Sequence, residues 1–100
     1  MAIYLLLTNL TEEGRKTIED FPERIKELNK EVEYMGVRVI AQYALLGQYD
    51  FVNIVEAPSD EIVAKLSIHL SARAELRTLT LPAIPLDNLV SILKKKQVPL

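Results

Sequence analysis

Leu46-Gly47-Gln48-Tyr49-Asp50 separates two apolar runs rich in β-branched residues. VRVIAQYAL (37–45) and FVNIV (51–55) are too apolar to be loops, and only a few turn-prone residues lie between them. The spacing predicts a β-hairpin, which fixes the register of the middle of the chain. At 100 residues, the chain 1–100 is read as a single domain, large enough for one core but not two.

The flanking segments follow the same logic. Residues 2–8 (AIYLLLT) read as a first strand, ended by Asn9-Leu10-Thr11. Thr11 suits a helix N-cap, and Glu12 and Glu13 then sit where the helix dipole favours negative charge. Ile18, Phe21, Ile25, Leu28, Val32 and Met35 recur at alternating spacings of three and four, which makes a one-sided apolar stripe. Pro22 breaks the hydrogen-bond ladder inside it, so the stripe divides into a short helix at 12–20 and a longer one starting near Pro22. Gly36 closes the second helix. Strands at 37–46 and 50–57 are followed by Ser59 as a cap and a helix at 60–73 that buries Ile62, Val63, Leu66 and Leu70. A strand at 75–83 and a short helix at about 86–95 complete the chain.

The order β-α-β-β-α-β plus a terminal helix is that of an α+β, ferredoxin-like fold, with an antiparallel sheet and helices on one face. Alternation along the strands assigns the faces. Val37, Val39, Ala41, Tyr43, Leu45, Val52, Ile54, Leu79 and Leu81 are the purely apolar sets and are placed beneath the helices. Arg38, Ile40, Gln42, Ala44, Phe51, Asn53, Val55, Leu76, Thr78 and Thr80 then face outward. Such a face is too apolar for water and marks an interface. At roughly 25 cal/mol per Å², leaving several hundred Å² of it wet forgoes several kcal/mol. Two sheets are therefore expected to stack in a homodimer, a two-chain α+β barrel.

Composition removes whole classes of function. The chain has no cysteine, which excludes disulfides, thiol catalysis and thiolate metal sites. A single histidine, His69, leaves no His–His metal pair, and neither a metal nor a cofactor is expected. The net charge of −2 offers no basic field to nucleic acid or anionic lipid. The run AIYLLL is shorter than the roughly 20 residues of a membrane span and lacks the flanks of a signal peptide, so the expected location is the cytoplasm.

Gly47-x-Tyr49-Asp50 in a hairpin, followed by a β-rich run and Glu56-Ala57-Pro58, resembles the GYD-domain family, which is named from these letters. The resemblance extends through the Tyr4 strand, Thr11-Glu12-x-Gly14 at the first helix and Arg77-Thr78-x-Thr80-Leu81 on the last strand. It implies a small α+β protein related to dimeric ferredoxin-like barrels, and no particular activity.

Several residues are candidates for chemistry, each with a structural reading beside it. Gly47, Tyr49 and Asp50 could form a binding lip. Equally, Gly47 supplies a turn position, Asp50 bonds backbone N–H groups and Tyr49 packs its ring. His69 borders the apolar stripe of its helix and is the one natural general base, or else a satisfied structural residue. Tyr4, Gln42, Asn53, Thr78 and Thr80 are expected to converge on the open sheet face, as the lining of a small-molecule site or as bonds across a dimer. Lys94, Lys95 and Lys96 are read as compensating a helix dipole.

Three functions are consistent with this set. One is an oligomeric, non-enzymatic domain that binds a small molecule or a protein. Another is a cofactor-independent enzyme of the dimeric barrel type, a monooxygenase or isomerase, using His69 with Asn53 or Tyr4. The third is an effector-sensing module lacking its own DNA-binding segment.

Overall fold

Thr11 turns β1 (Ala2–Leu10) into α1 (Glu12–Asp20) as the sequence predicts: its hydroxyl accepts from Gly14 N at 3.1 Å and donates to Ala74 O at 2.6 Å. One side chain thus starts a helix and ties it to the far end of the domain. In the computed structural model, which describes residues 1–95, α1 is followed by α2 (Arg24–Tyr34), β2 (Arg38–Ala44), β3 (Phe51–Ala57) and α3 (Asp60–Ser71). Then come β4 (Leu76–Ala83) and α4 (Leu86–Lys94). Of the expected lysine cluster, Lys96 lies outside the described residues.

The caps agree with their chemistry. Ser59 Oγ accepts from Ile62 N at 3.3 Å and starts α3. Gly36 has a φ of +85°, the left-handed conformation that ends α2 without a Cβ penalty. The sheet is antiparallel, in the order β2-β3-β1-β4 of the ferredoxin-like arrangement. The β2–β3 connection is a loop over Leu46–Tyr49, closed by Leu45 N donating to Asp50 O at 2.8 Å.

The helix-facing side of the sheet reverses the expected assignment on two strands. The core contains Tyr4, Leu6, Val55, Ala57 and Leu76, joined by Val32, Val37, Val63, Leu66 and Leu70. Because Leu6 pairs with Asn53 and Thr80, and Thr8 with Phe51 and Thr78, these polar side chains also lie beneath the helices. Val52, Ile54, Leu79 and Leu81 face the other way, opposite Leu5 and Leu7. Ranking the faces by aliphatic content fails here because Asn53 and Thr78 bond to Gln42 and Ser67 and so can be covered at little cost, while Thr80 is covered without a partner among the described residues. Ser67 and Thr78 share a hydrogen bond of 2.7 Å in this way.

On β2 the assignment is half right, and a bulge explains why. Val39 pairs with Val55 and Ala41 with Ile54, so Ile40 is the extra residue. Val37 and Val39 pack toward the helices as expected. Beyond the bulge the phase inverts: Gln42 opposes Asn53 on the helix side, and Ala41 and Tyr43 turn to the open face.

That open face is a continuous aliphatic surface, with Leu79 and Leu81 exposed at 43% and 40%. α4 adds a second apolar surface. None of its residues is buried, and Leu86, Leu89, Val90, Ile92 and Leu93 all face solvent. The molecule measures 62 × 29 × 19 Å.

Candidate functional site

The five residues expected to line one site fall into two groups, both on the helix side of the sheet. Gln42 and Asn53 come together at a cavity beneath α1 and α2. Tyr4, Thr78 and Thr80 lie beneath α3.

The cavity, of about 60 Å³, is walled by Leu6, Leu10, Ile18, Ile25, Leu28, Val32, Val39, Phe51, Val55, Leu70 and Leu76. Its polar lining consists of Thr8, Asn29, Gln42 and Asn53, and no lining residue is charged. The three carboxamides form a chain. Asn29 Nδ2 donates to Gln42 Oε1 at 2.7 Å, and Gln42 Nε2 donates to Asn29 Oδ1 at 2.8 Å and to Asn53 Oδ1 at 2.5 Å. Gln42 is exposed while Asn29 and Asn53 are half-buried, so the chain runs from solvent inward. Gln42 reaches this place only because of the bulge at Ile40.

Asn29 and Thr8 were not among the sequence candidates. Asn29 carried a faint signal, being an uncharged amide beside the apolar stripe in a segment otherwise filled with charges. Thr8 gave none, since its value lies in the partners that surround it.

Tyr4 and Thr80 of the second group line an open groove with Asp60, Val63, Ala64, Ser67, Ile68 and Pro82, and Thr78 reaches it only through its bond to Ser67. The buried Tyr4 hydroxyl donates to Asp60 Oδ1. That bond, followed by burial, raises the phenol from 10.0 to about 12. Thr80 Oγ1 is buried without a hydrogen-bond partner among the described residues.

His69 stands apart from both. Its Nε2 lies 3.2 Å from Glu31 Oε1, on the surface between α2 and α3. Glu31 also pairs with Arg73 at 2.6 Å and Arg24 at 3.6 Å. The histidine therefore belongs to an ion-pair cluster joining two helices, and neither Asn53 nor Tyr4 accompanies it.

Of the hairpin residues, Asp50 makes the bonds to the sheet. Asp50 N donates to Thr8 O at 2.9 Å, and Asp50 Oδ2 accepts from Leu10 N at 2.8 Å, which ties the loop to the end of β1. Gly47 has a φ of +115°, open to glycine and strained for other residues. Tyr49 is half-buried. No helix among the described residues is long and apolar enough to cross a membrane.

Comparison with known proteins bears on this geometry. The family profile described as "GYD domain" matches residues 4–93. A protein of Thermus thermophilus, the glutamine synthetase and cystathionine beta-lyase binding protein, is 50% identical over 95 residues, covering 94% of this chain and all of that protein. The crystal structure of MtbAldR is similar, with a TM-score of 0.63 and 22% identity, over 84% of this chain and 52% of that one. So is the leucine response regulatory protein of Mycobacterium tuberculosis, with a TM-score of 0.52 and 13% identity, over 84% of this chain and 51% of that one. At these identities, the two crystal structures share the fold with this chain.

Proposed function

The chain belongs to the GYD-domain family, and from that premise we propose that it is a non-catalytic protein-binding module that works as a homo-oligomer. The observation that carries this reading is the open aliphatic sheet face, where Leu5, Leu7, Val52, Ile54, Leu79 and Leu81 lie side by side. Leaving that face wet is costly, and a second copy offers the same twisted surface to cover it. α4 supplies a separate apolar face, suited to a groove on a different protein. The half-identical relative bears the name of a binding protein for two metabolic enzymes, which supports partners of that kind. In this reading residues 1–100 act as one unit in the cytoplasm.

The test has two arms. Light scattering on the purified protein gives its native mass: a dimer or larger species is expected, and a monomer at micromolar concentration overturns self-association. Calorimetric titration with purified glutamine synthetase and cystathionine beta-lyase measures partner binding. Saturable heat with either enzyme supports the module, and none with both removes it.

A further inference from the structure

We propose that the cavity beneath α1 and α2 is a binding site for a small, neutral, branched aliphatic molecule carrying one carbonyl group, with the Asn53 carboxamide as its anchor. This proposal stands apart from the protein-binding reading, because the cavity opens neither on the sheet face nor on α4.

Three observations carry it. The walls are apolar, aliphatic but for the Phe51 ring, except for Thr8 and the three amides. The amide chain is satisfied along its outer part, where Asn29 and Gln42 exchange two hydrogen bonds. It terminates at Asn53, which accepts from Gln42 through Oδ1 and leaves Nδ2 without a protein acceptor among the described residues. Thr8, on the neighbouring strand and 5% exposed, also lines the cavity. A half-buried amide donor without an acceptor, in the lining of an apolar hollow, matches a carbonyl oxygen.

Size and charge narrow the class. A cavity of about 60 Å³ is smaller than the roughly 150 Å³ that admits benzene. It encloses an isopropyl group alone, and the carbonyl of such a ligand then lies at the amide-lined mouth. With no charged residue in the lining, a carboxylate would be desolvated without a counter-charge, so the neutral carbonyl is selected over the acid.

Isobutyramide and its charged isostere isobutyrate are the probes. Each is titrated into ¹⁵N-labelled full-length protein and followed by two-dimensional NMR. A six-heavy-atom ligand is expected to bind with Kd on the order of 1 mM. Isobutyramide should give saturable shifts at the Asn53 and Gln42 side-chain amides and at Leu6 and Val55. Isobutyrate should bind at least about ten-fold more weakly, the ratio of one unmet charge interaction. Asn53→Ala, with its fold checked by thermal melting, should lose isobutyramide binding by a similar factor. Equal binding of the two probes, shifts that do not saturate or lie elsewhere, or full binding by a folded Asn53→Ala protein overturns the proposal. Should Asn53→Ala not fold, the comparison of the two probes on the unaltered protein decides.

Discussion

Gly14 is fixed by a neighbour 61 positions away. A Cβ at this site would stand 1.9 Å from the Glu75 carbonyl oxygen, which already accepts from Thr11 N at 2.9 Å. Gly14→Ala must push α1 away from the Glu75 backbone just ahead of β4, and a loss of about 2–3 kcal/mol is expected in urea unfolding. The same corner holds the opposite case. Ala74 has a φ of +60°, a conformation costing roughly 1–2 kcal/mol for a residue with a Cβ. Ala74→Gly relieves that strain against a backbone-entropy cost of roughly 0.5–1 kcal/mol, so a rise in Tm of a few degrees is expected. Tyr4 offers a spectroscopic check. Its phenol is raised to about 12, so the stability it contributes is present below the ordinary value of 10.0 and is lost as pH rises toward about 12. Of the four tyrosines, one should form its phenolate near pH 12 in an ultraviolet titration, and Tyr4→Phe should remove that step. The caps at Thr11 and Ser59 and the turn at Gly36 were legible because they act on their own neighbourhood. The close approach at Gly14 and the pairing of Tyr4 with Asp60 were not, because distant residues create them.

Between elements, α2 is fastened to the residue just ahead of β4 by one ion pair. Arg24 Nη2 and Nε donate to the two Glu75 carboxylate oxygens at 2.9 and 3.1 Å, with only 13% and 16% of these side chains exposed. The Arg24 hydrogen bonds hold the Glu75 carboxyl below its ordinary value against the opposing effect of burial. The resulting stability is present above the unfolded-state carboxylate pKa and is lost as acid titrates the folded-state group. Arg24→Leu is expected to cost about 2–3 kcal/mol at neutral pH by stranding a half-buried charge, and less in acid, where Glu75 is protonated. Denaturant curves across that range check the trend. The element order and most boundaries followed from periodicity, as the α2 stripe illustrates. The sheet faces did not, because a bulge at Ile40 and bonded polar groups under the helices both defeat a count of apolar alternation. The candidate site shared this fate: Gln42 and Asn53 were picked out together, and only the bulge reveals which side of the sheet they share.

At the scale of the whole molecule, two apolar surfaces are left uncovered among the described residues, and they separate experimentally. Leu81→Glu places a charge on the open face and should leave the fold intact while reducing the native mass in light scattering, if a second copy covers that face. α4 should be indifferent to that change. A short helix at about 86–95 was expected from the sequence, but its isolation from the core was not, since a helix does not declare what it packs on. That isolation has a thermodynamic corollary. Nine residues are fewer than the roughly 12–15 an isolated helix needs to persist in water. The helix is then partly formed by whatever it meets, and each encounter must supply the entropy of winding it. Intrinsic helix propensity at exposed positions becomes an affinity dial. Ser91→Ala, which adds no contact, should tighten partner binding about two-fold, and a glycine there should loosen it.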